Sequence, residues 1–212
     1  MNEVVLKIYV FLSIIIAATD IILAMKSIKK NKTTGRFLGL ACIGAAIVDI
    51  SYLISIISDS YMAMSVMSSI YFVSIDYMLV CLLVFIVYFT KGRFSKYGRA
   101  AIGVCFFYCL YELVIFAINP FKNIAIGYVR RDTVIAKYSY DMKPLYDVHL
   151  VFSYALVGVV LILLLKKLCK IPHEYRLQYS SVILGILALV GINAIFLYVP
   201  GCLLYTSDAA DE

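Results

Sequence analysis

Residues 66–90 read VMSSIYFVSIDYMLVCLLVFIVYFT, a run with one carboxylate, Asp76, and neither lysine nor arginine. A helix needs about 20 such residues to cross the hydrocarbon of a bilayer. Working outward, comparable runs occupy 4–25, 37–58, 100–118, 148–165 and 177–199. Each must be helical, because a backbone amide in hydrocarbon has no water to bond and only a helix satisfies its own. The runs are continuously apolar, unlike the alternating segments of a membrane barrel. The expected fold class is therefore all-α, a polytopic transmembrane helical bundle with six spans.

Composition agrees. The chain has 212 residues, of which 64% are hydrophobic and 15% charged, against roughly 25% charged in soluble domains. Six spans and their loops leave no room for an appended soluble enzyme. The net charge of +6 comes from residues between the apolar runs rather than from one continuous patch, so no nucleic-acid partner is expected. Cys42, Cys81, Cys105, Cys109, Cys169 and Cys202 form no CxxC pair, and neither a metal site nor a disulfide framework is legible in their spacing. No cofactor motif is present. The first run ends in lysines rather than in a small-residue cleavage site, so it reads as a retained span.

The basic residues orient the chain. Lys26, Lys29, Lys30, Lys32 and Arg36 follow the first span; Lys91, Arg93, Lys96 and Arg99 follow the third; Lys166, Lys167, Lys170 and Arg176 follow the fifth. The connection after the second span, near Asp59 to Ser65, has none. Basic loops stay on the cytoplasmic side, which puts the N-terminus outside. The fourth connection, 119–147, is basic as well but long, and carries Asp132, Asp141 and Asp147. Within it, IAIGYV and TVIAKYSY are β-prone stretches separated by Arg130, Arg131 and Asp132, predicting an extracellular hairpin with a short polar turn.

Small residues gather on the second span (Gly39, Ala41, Gly44, Ala45, Ala46) and the sixth (Gly185, Ala188, Gly191, Ala194). They allow close helix packing, within one bundle or between two chains. Asp20, Asp49, Asp76 and Glu112 lie in or near hydrocarbon with no lysine or arginine beside them mid-span, so each must find donors, face the interior or hold a proton. Asp20 is placed to reach the aqueous boundary. The other three read as structural hydrogen-bonding groups, as a ligand or proton-sensing pocket, or as part of an ion path. His149, at the outer mouth of the fifth span, reads either as an interfacial histidine bonded to a loop carbonyl or as a ligand contact. The candidate ligand-binding set is Glu112, His149, Tyr154 and Asp76, grouped near a partly wet outer mouth. No catalytic constellation is present, and His173 lacks the helical context of a phosphoacceptor.

The second half of the chain resembles the N-terminal seven-helix sensor region of bacterial histidine kinases and diguanylate cyclases. The resemblance rests on Asn119-Pro120 closing the fourth span, the hairpin loop, and VHLVFSYALVGVVLILLLKKL, with His149, Ser153 and Tyr154 at family positions. Pro172, Tyr175, Arg176 and Gln178 of PHEYRLQ, and Asn193, also fit. It implies a seventh span and a cytoplasmic kinase or cyclase output domain, a possible homodimer through that domain, and a small-molecule or membrane stimulus. Both the seventh span and the output domain are missing here. Residues 202–212, CLLYTSDAADE, look like a translated sequencing adapter, so 1–201 is expected to be the native sensor domain, cut before its seventh span. The alternative function is a small transporter or proton-coupled permease. It predicts inverted repeats and broken helices, which the sequence does not display.

Overall fold

The structure is a computed structural model that describes residues 3–30, 32–130 and 138–174, with scattered positions from 176 to 187. In chain order it contains α1 (Glu3–Lys29), α2 (Thr33–Ile57), α3 (Tyr61–Lys91), α4 (Lys96–Lys122), β1 (Ile126–Arg130), β2 (Tyr138–Met142) and α5 (Pro144–Leu168). All five helices are long and apolar enough to cross a membrane. The sixth expected span, 177–199, lies largely outside the described residues. The chain divides into two compact units, residues 1–160 and 161–212. The first holds α1 to α4, both strands and most of α5, and the second begins with the last turns of α5.

The helices run past the apolar stretches that announced them. Ser60 and Ser95 each accept a bond from a first-turn amide, that of Ala63 and that of Gly98, and so satisfy donors a helix start leaves open. α3 closes on Gly92 and α4 on Asn123, both in the left-handed region that ends helices. Pro120 does not end α4. It sits in the last turn, where its missing N–H removes one bond, and the helix carries on to Lys122. α3, with 31 residues, is about 46 Å long at 1.5 Å per residue, well beyond the roughly 30 Å of hydrocarbon.

α1 packs on α2, α2 on α3 and α3 on α4. The small residues of α2 set these distances. A Cβ at Gly39 would strike the Ile28 side chain of α1, and one at Gly44 would lie 3.0 Å from Met78 Cβ and 3.2 Å from its Cα on α3. Both glycines thus serve contacts inside the bundle. Ser51, Ser55, Ser69 and Thr90 give their hydroxyl protons to carbonyls three or four residues back, so they pack as small groups without an unmet donor. Large apolar side chains such as Phe11, Phe106, Phe107 and Val151 stay exposed, an arrangement suited to lipid.

β1 and β2 pair antiparallel, with Tyr128 opposite Tyr140 and Arg130 opposite Tyr138. Of the expected turn at residues 130–132, Arg130 belongs to β1, while Arg131 and Asp132 fall within 131–137, which lie outside the described residues. The register is fixed by Gly127, where a Cβ would press on Asp141 at 3.2 Å, and by the Tyr128–Tyr140 ring pair at 5.7 Å. The strands lie against helix ends. Tyr138 donates to the Asp59 carbonyl, Tyr61 donates to Asn123 Oδ1, and the Ser68 and Tyr140 hydroxyls are 3.3 Å apart. At the opposite end, Phe37 of α2 stacks on Tyr88 of α3, which also meets Phe94 edge-on. The Lys91–Arg99 charges are at that second end.

Candidate functional site

Asn119 joins the strands to α4. Its Oδ1 accepts from the Ala125 and Ile126 amides at 2.8 and 3.0 Å, while its Nδ2 donates to the Ile126 carbonyl at 3.1 Å. Nδ2 also lies 3.5 Å from the Tyr128 hydroxyl. Burial pushes that phenol up to about 12, so it stays protonated. Beneath this joint, Phe72, Phe116, Ala125, Ile126 and Tyr146 form an apolar core flanked by Tyr71, Val73, Ile115, Tyr128 and Tyr140.

Directly against this core is a polar cluster drawn from three helices. Asp76 comes from the midpoint of α3, Glu112 from α4 and His149 from α5, and their exposures are 0, 1 and 2%. His149 Nδ1 is 3.1 Å from Asp76 Oδ2 and 3.1 Å from Glu112 Oε2. The other oxygen of each acid is held by a hydroxyl. Ser153 donates to Asp76 Oδ1 at 2.5 Å, and Tyr108 donates to Glu112 Oε1 at 2.6 Å. The Tyr108 ring stacks on Phe152 at 3.7 Å. The imidazole is enclosed by Phe72, Phe116 and Tyr146, with ring centroids 5.4, 5.5 and 5.7 Å away.

Helical phase explains the convergence. Phe72 and Asp76 are four residues apart, as are Tyr108, Glu112 and Phe116, and as are His149 and Ser153. Residues at that spacing share a helix face. α3 has no lysine or arginine before Lys91, and α4 has none between Arg99 and Lys122. His149 is thus the one basic side chain of the cluster, facing two carboxylates in a low dielectric. An unbalanced charge there costs several kcal/mol.

Three of the four candidate residues, Asp76, Glu112 and His149, therefore come together. Tyr154 is half-buried, and the hydroxyl that reaches the cluster belongs to Ser153, its neighbour. The site is also not the partly wet mouth expected: the strands and the Phe72–Phe116–Tyr146 core close over it. Asp20, on α1, is half-buried.

The family described as the N-terminal 7TM region of histidine kinase matches residues 9–206. The chain belongs to this family. The matched range includes all of α2 to α5, and hence every residue of the buried cluster, and it overlaps the first positions of the 202–212 tail. No curated protein and no solved structure gives a match. Membership in a seven-transmembrane region agrees with the five long apolar helices and makes this a multi-pass membrane protein.

Proposed function

We propose that the chain is the stimulus-receiving module of a bacterial inner-membrane signalling protein. It drives a cytoplasmic output domain, a diguanylate cyclase or a histidine kinase, that follows a seventh span. The observation that carries this reading is the buried Asp76–His149–Glu112 cluster. It ties α3, α4 and α5 together directly beneath the strands that Asn119 fastens to α4. A stimulus acts on such a bundle only if it binds one helix arrangement better than another. Three helices held by one buried polar cluster provide an element with two such arrangements, cluster closed or cluster parted. The test is output activity of the full-length parent with Glu112→Gln and with Asp76→Asn. Both substitutions keep shape and remove charge. Expression is expected to stay normal while the response to stimulus disappears. Parent-like responses from both variants would refute the sensing role.

The orientation proposed has the N-terminus and the strand pair outside, with the basic connections near Lys29, Arg93 and Lys167 in the cytoplasm. Support comes from the charge asymmetry of the loops, and from the separation of the Phe37–Tyr88–Phe94 end from the Asp59–Tyr138 end. In a cysteine-free background, a membrane-impermeant thiol reagent applied to intact cells is expected to label Lys122→Cys and to spare Lys29→Cys. The reverse pattern inverts the topology.

A further inference from the structure

We propose that Asp76, Glu112 and His149 bind one divalent first-row transition-metal ion between α3, α4 and α5. This deepens the sensor reading by naming a ligand class for its cluster, and rests on that reading for its signalling consequence. One imidazole nitrogen and two carboxylate oxygens, one from each helix, all lie within 4.8 Å of one another. This mixed nitrogen and oxygen set suits zinc and its neighbours rather than magnesium or calcium.

Three features favour an ion over a single proton. First, both carboxylates converge on the same atom, His149 Nδ1. That nitrogen carries one hydrogen or one lone pair, so it makes a straight bond to one oxygen only. An ion set off from Nδ1 serves both. The separations of 3.1 Å fall between those of ligands at right-angled and tetrahedral positions, about 2.9 and 3.4 Å for bonds of about 2.0–2.1 Å.

Second, each acid has its outer oxygen fixed by a hydroxyl, from Ser153 or Tyr108, leaving Oδ2 and Oε2 as the pair turned inward. Outer partners of this kind aim ligating carboxylates. Third, the charges balance. A dication, two carboxylates and a neutral imidazole sum to zero, whereas an imidazolium leaves one net negative charge among Phe72, Phe116 and Tyr146. Three protein ligands leave a further coordination position open, the arrangement found where metals exchange a ligand.

The test uses the full-length parent in lipid nanodiscs, with Zn2+ and Co2+ as probes. After removal of loose metal, one equivalent of zinc per chain is expected by elemental analysis, and Co2+ should give visible bands of a nitrogen–oxygen site. Asp76→Asn, Glu112→Gln and His149→Gln should each lower affinity at least tenfold. Tyr108→Phe, the mildest change, should lower it by about ten- to a hundredfold through loss of the outer hydroxyl. Replacing the other histidine, His173→Ala, should change nothing. A parent that retains neither ion, or binding that survives the three ligand substitutions, overturns the proposal. If no ion binds yet Glu112→Gln still abolishes output, the metal is refuted and the sensor stands. If one equivalent binds and is lost in the variants while output is untouched, the metal site is upheld and the sensor role at this cluster is lost.

Discussion

Asn119→Ala is expected to destabilise the chain by about 3 kcal/mol or more and to release the strands from α4. The side chain is fully buried, as are Ala125 and Ile126. Removing it strands the two amide protons that its Oδ1 accepts and takes a donor from the Ile126 carbonyl. Each unmet buried group costs about 1–3 kcal/mol, and water entering between the strands and the helix end returns part of that sum. Asn119→Asp separates acceptor from donor. It keeps an oxygen for the two amides, loses the bond to the Ile126 carbonyl and should fall between the parent and Asn119→Ala. Amide hydrogen exchange at Ala125 and Ile126 is the direct measurement, with protection reduced by orders of magnitude in Asn119→Ala. Unchanged protection at both amides would show that the strands are held by other means.

His149→Ala is expected to be more damaging than loss of an imidazole's packing alone. In chelator-treated protein it leaves Asp76 and Glu112 facing each other in a buried space, with their outer oxygens still fixed by Ser153 and Tyr108. Removing one partner of a buried charge network costs on the order of 3–5 kcal/mol, because the remaining charges are uncompensated. The sign of a second substitution identifies the cause. If charge is responsible, His149→Ala with Glu112→Gln should be more stable than His149→Ala alone, although it departs further from the parent. If the three aromatic rings around the imidazole dominate, the double variant should be no better than the single one. Thermal unfolding in a fixed detergent, with both variants compared in one buffer, decides between them.

Much of this arrangement is legible in the amino-acid order. Continuous apolar runs can hardly be anything but helices in lipid, so α1 to α5 are evident, and Asn119-Pro120 marks where α4 meets the strands. The helix ends are not, because Ser60, Ser95 and Asn123 extend the helices into polar sequence through capping bonds that hydropathy does not register. Glu112 and His149 stand out as ionisable groups near hydrocarbon. Depth along the fifth span favours Tyr154 as their companion, whereas phase favours Ser153. Four residues from His149 lies the same face; five residues is about 140° around the helix. The same four-residue step links Tyr108 to Glu112 and Phe72 to Asp76. What no single-helix phase can supply is the pairing of α3, α4 and α5 at one depth, and therefore the metal-like donor set, whose members are 73 and 37 residues apart in sequence.

The length of α3 means that this molecule folds in two solvents. A 31-residue helix outreaches the hydrocarbon by roughly 15 Å, and its first turns, Tyr61 to Ser69, are the ones that meet the strands. There, burial of Ala125, Ile126 and Tyr146 is driven by water leaving apolar surface, as in any small soluble protein. Deeper down, lipid is as oily as leucine, and cohesion comes instead from close contacts such as Gly44 on Met78. Cold, urea and salting-out ions act on the first kind of cohesion; lipid chain length and lateral pressure act on the second. Along α3 the buried acid–imidazole cluster, at Asp76, lies between the turns that meet the strands and the Gly44–Met78 contact, so both sets of influences act next to it.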